Sequence, residues 1–586
     1  MSNKNDHDIY IIPPNFIESG TFFGGMFRAR NVIEAGILAF AIGVPVFMFV
    51  PFGLTTRIII LCLTALPAAL VALIGISGES LSEFLIIFLK YLRNRRIVGG
   101  DGQQPNEQAP PMKRPGRHLK QRAPKEKESR PPKRRRSGES DFPAEFDEVR
   151  SYEIREKLRP KKKPKKELSS KKAKKKPNKR KEKARPPKRP AHIKEQPPAC
   201  LNPVADYLPI EKIQNGIIYT KDHRYVKVVE VVPINFMLRS AREQRNIIYS
   251  FVSYLKISPV KLQIKVLTRR ADINRHLDTV RREMAQEKNE QCRLMQEDYL
   301  SFVQQIGARE AVTRRFFLIF EYEPWNNTRR SEQEEEAIQS LQSAVHTASN
   351  YLRQCGNEVI IPENEDEFTV DVLYNLLCRN ESAIKPLALR AQEVVAQYAA
   401  KGRESEIDHI PAAEFAAPKS IDFSHGRYLC IDGLYYAYLL IPSDGYKTQV
   451  PAGWLSLIVN AGDGIDMDMF LSRQPKERII QRVGQQLRIN RSKIKDASDT
   501  NTDFDDIDGA IRSGYFLKEG LANNEDFYYL NLLITVTAPT EEDLEWKVSE
   551  MKKLLLSQDM DVRSCHFREE QAFLSALPLV SMEKGL

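Results

Sequence analysis

The chain lacks the short motifs that mark several common catalytic centres. None of its 28 glycines is followed by lysine, so the GxxxxGK[ST] loop that cradles nucleotide phosphates is absent. GxSxG and HExxH are missing too, and the nine histidines are dispersed. A P-loop ATPase, a GxSxG serine hydrolase and a HExxH zinc peptidase are therefore excluded. We predict that the chain is not an enzyme and has no catalytic residue, cofactor or metal.

Cysteine pairs are also lacking. The seven cysteines show no CxxC and no paired spacing, at positions Cys62, Cys200, Cys292, Cys355, Cys378, Cys430 and Cys565. An odd, scattered set argues against a disulfide framework or a zinc ribbon and indicates a reducing compartment.

One acidic stretch has the beginning of a calcium loop but not its end. Asp499, Asn501 and Asp503 alternate as calcium ligands do. Phe504 then occupies the position that requires glycine, and Ala510 the position of the bidentate glutamate. We interpret the stretch as a loop that leads into a helix.

Two hydrophobic runs dominate the N-terminal region, at about 32–50 and 58–76. Each approaches the ~20 residues that a helix needs to cross a bilayer. Arg57 is the one basic residue in the turn between them, whereas six basic residues flank the outer ends: Arg28, Arg30, Lys90, Arg93, Arg95 and Arg96. The positive-inside rule therefore predicts an inner-membrane hairpin with both termini in the cytoplasm.

The segment that follows, 80–97, has the pattern of an amphipathic helix. One face is apolar and basic residues gather at the end; the apolar residues are Leu81, Phe84, Leu85, Phe88 and Leu92. We predict that this helix lies on the inner leaflet, in preference to packing on the globular region. It completes an N-terminal unit at 1–98.

Residues 99–203 form a basic, proline-rich linker that we predict to be disordered. Between 113 and 195 the chain carries 34 Lys and Arg against 12 Asp and Glu, so the net +12 of the whole chain leaves about −10 for the remainder. Three interpretations stay open: a solvated spacer, contact with anionic lipid, or a non-specific arm for DNA. We favour the spacer with lipid contact. The candidate contact residues are Lys161, Lys162, Lys163, Lys165, Lys166, Lys174, Lys175, Lys176 and Arg180.

The remaining sequence alternates helices and strands, which predicts an α/β (α+β) fold. Two stretches, 204–364 and 426–586, have a similar order of hairpin, helix, strand, helix, strand, helix and strand. The second contains one extra helix. Residues 365–425 form a helical connector and loop between these two predicted subdomains.

Two resemblances follow from particular residues. Ile12-Pro13-Pro14-Asn15-Phe16 and Arg28-Ala29-Arg30-Asn31, with the two spans, resemble the PrgI family of inner-membrane conjugation subunits. The stretches 207–236, 241–251 and 567–580 resemble the N-terminal, non-motor half of conjugative type IV secretion ATPases of the TraC/TraE class. In that class a Leu-Pro-Leu stretch like 577–579 precedes the RecA-like motor.

These resemblances imply a membrane-anchored scaffold, oligomeric within a conjugative secretion complex. Its expected partners are a RecA-like motor ATPase in trans and other channel subunits. An apolar tail is the expected motor interface: Phe573, Leu574, Leu577, Leu579 and Val580. Two alternatives stay open, a DNA-handling arm protein near the pore and the product of a truncated or split motor gene.

The predicted topology can be tested by labelling single cysteines in intact cells. A cysteine introduced near residue 54 should react with an impermeant reagent, whereas cysteines near residues 5 and 110 should react only after lysis. Replacing Cys62 by serine removes the background from the second span. Labelling near residues 5 and 110 in intact cells would contradict the orientation.

Overall fold

The structure, a computed structural model, describes part of the chain. The described residues are 9–11, 21–22, 27–49, 53–76, 80–99, 200–270, 274–310, 312–324, 330–446, 449–451, 453–496, 503–583 and 586. The predicted linker residues 100–199, and Asp499 and Asn501 of the calcium-loop-like stretch, lie outside this part.

The two hydrophobic runs form a helical hairpin, which confirms that both are helical and long and apolar enough to cross a membrane. Only 11% of each run is buried. Alanines lie where the two helices meet, and Asn31 Nδ2 donates to the Leu73 carbonyl at 3.2 Å. Small residues allow helices to approach closely. The N-terminal elements are β1 Ile9–Ile11, β2 Thr21–Phe22, β3 Phe27–Arg28, α1 Ala29–Phe49, α2 Leu54–Ile74, α3 Leu81–Asn94 and β4 Ile97–Gly99.

The first half of the globular region has the predicted order, with two differences. The second helix of the predicted order is broken into two, because Asn289 caps a further helix by accepting from Gln291 N at 3.0 Å. An additional strand also precedes the predicted hairpin. The elements are α4 Pro203–Tyr207, β5 Ile210–Gln214, β6 Ile217–Thr220, β7 Tyr225–Val232, α5 Ala241–Ile257, β8 Lys261–Arg270, α6 Asn274–Gln286, α7 Glu290–Glu310, β9 Val312–Tyr322, α8 Arg330–Gln354 and β10 Glu358–Ile360.

The predicted connector is helical and ends in a strand. Its elements are α9 Glu365–Leu377, α10 Arg379–Ser382, α11 Leu387–Ala400, α12 Ala412–Ala416 and β11 Ser420–Asp422. Asn364 caps α9 by accepting from Glu367 N. These helices pack on one face of the sheet.

The second half repeats the order of the first. The helix expected at 451–459 is shorter, because Gln449–Pro451 forms a strand that pairs with β1. The elements are β12 Leu429–Ile431, β13 Leu434–Ile441, β14 Gln449–Pro451, α13 Ser456–Val459, β15 Ile465–Gln474, α14 Lys476–Asp496, α15 Asp503–Ala522, β16 Phe527–Ala538, α16 Glu541–Ser557, β17 Arg563–Ser564 and α17 Glu569–Ala576.

The two halves share one sheet, which corrects the expectation of a separate sheet in each. β8 pairs with β15 in antiparallel register, with Lys265 opposite Asp468. Outward from this junction the order is β8-β9-β7-β6-β5 on one side and β15-β16-β13-β12-β11-β4 on the other. β10 pairs with β7 as β17 pairs with β13. The arrangement is that of a duplicated unit whose two copies are joined edge to edge. At the join, β8 and β15 provide the hydrogen-bond partners for each other's backbone groups.

Helices cover both faces of this sheet. On one face lie α4, the connector helices and α17. On the other face α5 and α8 cover the first half, and α13 and α16 cover the second. The result is an α+β architecture with a large antiparallel sheet between two helical layers.

The ends of the predicted linker meet at one edge of the sheet. Gly99, the last residue of β4, pairs with Ser420 of β11. Its φ of +106° and its approach to the Lys419 carbonyl leave no room for a side chain, and Val204 of α4 lies beside it. The segment between therefore leaves and re-enters the fold at one place. Because Gly99 and Val204 already lie side by side, the length of this segment does not set the distance between the hairpin and the sheet. This corrects the expectation that the segment is a spacer.

Candidate functional site: the C-terminal segment between α3 and the sheet

The C-terminal segment, residues 565–583, lies between helix α3, which follows the hairpin, and the centre of the sheet. Phe567 is its contact with α3. The Phe567 ring stands edge-on to Phe84, Phe88 and Tyr91, with centroids 5.9, 5.2 and 5.2 Å away. Phe567 has a φ of +62°, and its N–H donates to the Gly426 carbonyl at 3.0 Å. A side chain at Gly426 would strike the Phe567 ring.

Polar contacts fix the same interface. Tyr91 donates its hydroxyl proton to the Ser424 carbonyl at 2.5 Å. Arg96 donates to Glu570 at 2.8 Å, and the Tyr207 hydroxyl donates to the same carboxylate oxygen at 2.9 Å. Burial and the Glu570 charge raise the pKa of Tyr207, so this hydroxyl keeps its proton and acts as a donor.

Only part of the apolar face predicted for the amphipathic helix is covered by these contacts. Phe84 and Phe88 pack on the C-terminal segment, whereas Leu85 and Leu92 are about half exposed. For this helix, the sequence pattern favours the inner leaflet over packing on the globular region. The structure shows that it does pack there, through Phe84 and Phe88, and its contact with the leaflet stays a prediction. Aromatic rings at 84, 88 and 91 form their own strip, one turn apart, and that strip contacts Phe567.

Glu569 is a buried acid at the beginning of α17. It is only 3% exposed, and its carboxylate accepts from the Phe567 N–H at 3.2 Å. Burial raises its pKa to about 8, against the opposing effect of backbone N–H groups in the first helical turn. A small cavity of about 20 Å³ lies beside it, lined also by Lys90 and Tyr91 of α3.

The sheet holds the backbone that follows α17. Lys265 Nζ donates to the Ala576 carbonyl at 2.9 Å. Gln263 donates to the Leu577 carbonyl at 3.2 Å and accepts from the Val580 N–H at 2.8 Å. Arg224 Nη1 donates to the Leu579 carbonyl at 2.8 Å. Side chains of the sheet thus supply hydrogen-bond partners for the backbone groups of a stretch that has no regular secondary structure.

The same lysine belongs to the junction between the two halves. Lys265 Nζ lies 2.7 Å from an Asp468 oxygen, and the two side chains are 2% and 0% exposed. The Gln263 amide donates to the other Asp468 oxygen at 2.8 Å. Burial raises the pKa of Asp468 to about 6, although Lys265 and Gln263 act in the opposite direction. One buried ion pair therefore joins both halves and the C-terminal segment.

The predicted motor interface is not a free surface. Phe573, Leu577, Leu579 and Val580 are buried in the core cluster of one sheet face, and Leu574 is half-buried against it. The premise that this tail lacks a partner within the chain is wrong, because the sheet face beneath it supplies one. Substituting aspartate at any two of these positions would therefore disrupt the core, and such a variant could not be used to test a docking surface.

The nine basic residues of the predicted lipid or nucleic-acid contact, Lys161 to Arg180, lie outside the described residues. The structure instead pairs Lys265 with Asp468 at the junction and places Phe567 and Glu569 together near α3. The sequence patterns did not single out the first pair, and they included the second only within the resembling stretch 567–580. A signal existed for the first two. Gln263, Lys265, Asp466 and Asp468 alternate with apolar residues, but this pattern is also typical of a solvent-facing strand. Phe567 lies in the resembling stretch 567–580, but no pattern marks it as a contact of α3.

One group of side chains outside this site has the spacing of metal ligands, namely Cys378, Glu381 and Asp432. All three already have partners. The Cys378 thiol donates to the Ala416 carbonyl at 3.4 Å, Glu381 lies 3.4 Å from Lys385, and Asp432 accepts from Ser420 N at 2.9 Å. Burial raises the pKa of Cys378, which disfavours the thiolate that a metal requires.

Comparison with known proteins gives one family finding. The model of the Archaeal TraC-like domain matches residues 211–358, which run from β5 to β10 and form the first half of the sheet. No curated protein matches the chain. The match supports a TraC-class, conjugation-related domain. It does not extend to the N-terminal region, where the PrgI resemblance stays a prediction.

The first prediction from this site concerns the ion pair at the junction. Lys265→Met should destabilise the sheet domain by about 3–5 kcal/mol, because Asp468 loses its charge partner in the interior. The double change Lys265→Met, Asp468→Leu should recover much of that loss. Chemical denaturation of the detergent-solubilised protein measures both.

Lys553→Met is the matched control, because Lys553 pairs with Glu550 on the surface, with 68% and 49% of the two side chains exposed. It should change the free energy of unfolding by less than about 0.5 kcal/mol. Equal effects at Lys265 and Lys553 would contradict a structural role for the buried pair.

The second prediction concerns Glu569. Because its folded pKa of about 8 exceeds the ordinary value of 4.5, its contribution to stability is complete below pH 4.5 and is lost as the pH rises through 8. Relative to Glu569→Gln, the wild-type protein should lose up to about 5 kcal/mol between these limits. Urea denaturation at pH 5 and pH 8 measures the difference, with Glu550→Gln as the exposed control. An unchanged difference at the two pH values would show that Glu569 is not held protonated.

Proposed function

We propose that the chain is a membrane-anchored scaffold of a conjugative type IV secretion system, which docks a RecA-like motor ATPase at the inner membrane for DNA transfer. The proposal rests on one observation: α3 and β4, the elements that follow the hairpin, are attached directly to the sheet domain. α3 packs on Phe567, and β4 pairs with β11 in the sheet that contains the TraC-like segment. A hairpin on a loose tether would not require either contact.

Two separate attachments support a scaffold that transmits force. β1 precedes the hairpin and pairs with β14, and β4 follows it and pairs with β11. The hairpin is thus held at both its entry and its exit. A rigid link of this kind suits a component that must keep a motor aligned with a membrane channel.

The scaffold has no catalytic role in this proposal. The motor subunit, in trans, supplies ATP binding and hydrolysis, and other channel subunits complete an oligomeric complex. Because the tail 573–580 is buried, the motor contact has to lie on other surfaces of the sheet domain.

Recruitment can be tested with a substitution in the first span. Ala41 is exposed on α1, so Ala41→Arg does not disturb packing but costs about 3 kcal/mol on insertion scales. Cells that carry this variant should show the motor ATPase of the same conjugation system shifted from the membrane fraction to the soluble fraction. Fractionation followed by immunoblotting measures the distribution.

Ala41→Leu is the control, and it should leave the motor at the membrane. A motor that fractionates with the membrane equally well when this chain is deleted would contradict the recruitment role.

A further inference from the structure

Helix α3 has a second apolar face, about a quarter-turn around the helix from the face that contacts the C-terminal segment. Leu85, Leu89 and Leu92 follow one another at spacings of four and three residues, which places them on one side of the helix. They are 49%, 57% and 50% exposed, and the adjacent Ile86 is 51% exposed. Four large aliphatic side chains in a row form the kind of continuous apolar patch that marks a contact surface.

The position of α3 relative to the hairpin indicates what covers this face. α2 ends at Ile74 and α3 begins at Leu81, so their ends are at most ~25 Å apart. Ser82 donates its N–H and its hydroxyl to Glu34 of α1, at 3.1 and 2.6 Å, and Arg30 pairs with Glu83. The beginning of α3 is therefore fixed beside the second turn of α1. This is the level at which the first span meets the headgroup layer.

Charge on α3 fits an anionic surface. Lys90 and Arg93 are both exposed, and they lie four residues after Ile86 and Leu89 respectively. The apolar row thus has cations along its border. This is the arrangement of helices that lie in the interface of an anionic leaflet, with the apolar side chains in the acyl boundary and the cations among the headgroups.

We propose that α3 binds the anionic inner leaflet through Leu85, Leu89 and Leu92, while its neighbouring face holds the C-terminal segment through Phe84, Phe88 and Tyr91. The helix is then a layer between lipid and protein that fixes the sheet domain at the membrane surface. This inference rests on the proposed membrane anchoring and adds the ligand, an anionic phospholipid headgroup with its adjoining acyl chain.

Photocrosslinking of the full chain in vesicles tests the inference. A benzophenone amino acid is introduced at position 89, in vesicles of phosphatidylcholine with or without phosphatidylglycerol. Illumination should give a lipid adduct, detected by mass spectrometry, with phosphatidylglycerol over-represented. Changing Lys90 or Arg93 to glutamine should reduce that over-representation about fivefold for each charge removed.

Three control positions make the result decisive. The same probe at Lys553, exposed on α16, should give no lipid adduct, and at Phe84 it should give crosslinks within the chain. At Leu63, 77% exposed on α2, it should give lipid adducts if the hairpin spans the bilayer. Lipid adducts at 63 but not at 89 would overturn the inference and leave the anchoring intact. Adducts at neither position would contradict the anchoring itself, and crosslinks from 89 to a second copy would assign the face to self-association instead.

Discussion

The antiparallel pairing of β8 with β15 is the contact on which the described globular fold depends. It joins the sheets of two similarly ordered halves, and it places Lys265 directly opposite Asp468. Because the pair is buried, its charges are compensated only by each other, by Gln263 and by the backbone of the C-terminal segment. A buried pair of this kind adds little net stability, but breaking it is costly, so it favours one register and one position for the segment above it.

The C-terminal segment connects this junction to α3, the helix that follows the hairpin. Near its beginning, Phe567 contacts α3 and Glu570 pairs with Arg96, which follows α3. Near its end, the backbone receives hydrogen bonds from Arg224, Gln263 and Lys265. The C-terminal segment thus contacts both α3 and the central strands of the sheet. The family resemblance places a motor after a similar Leu-Pro-Leu stretch. In the proposed scaffold, this segment therefore links the helix that follows the hairpin to the centre of the sheet.

The attachment of α3 and β4 also changes the role expected for the basic segment between 99 and 200. Its length and composition predict a segment that spans the distance between hairpin and sheet. Since Gly99 lies beside Val204, that distance is already closed by packed structure. Its charge, rather than its length, is then the property that distinguishes it, and both lipid and DNA stay open as ligands for it.

Local sequence determined the elements of this protein well. The two spans, the hairpin at 427–441 and the capped helices after Ser240 and Thr540 follow from hydrophobic runs, turn residues and side-chain caps, which act within a few residues. Burial of the polar strand residues and of the tail 573–580 could not be predicted in the same way. An alternating strand has the same pattern whether water or a helix covers its polar face, and an apolar tail has the same composition in a core as at an interface. Only the tertiary structure decided these points, because they depend on contacts between residues some 200 to 300 positions apart.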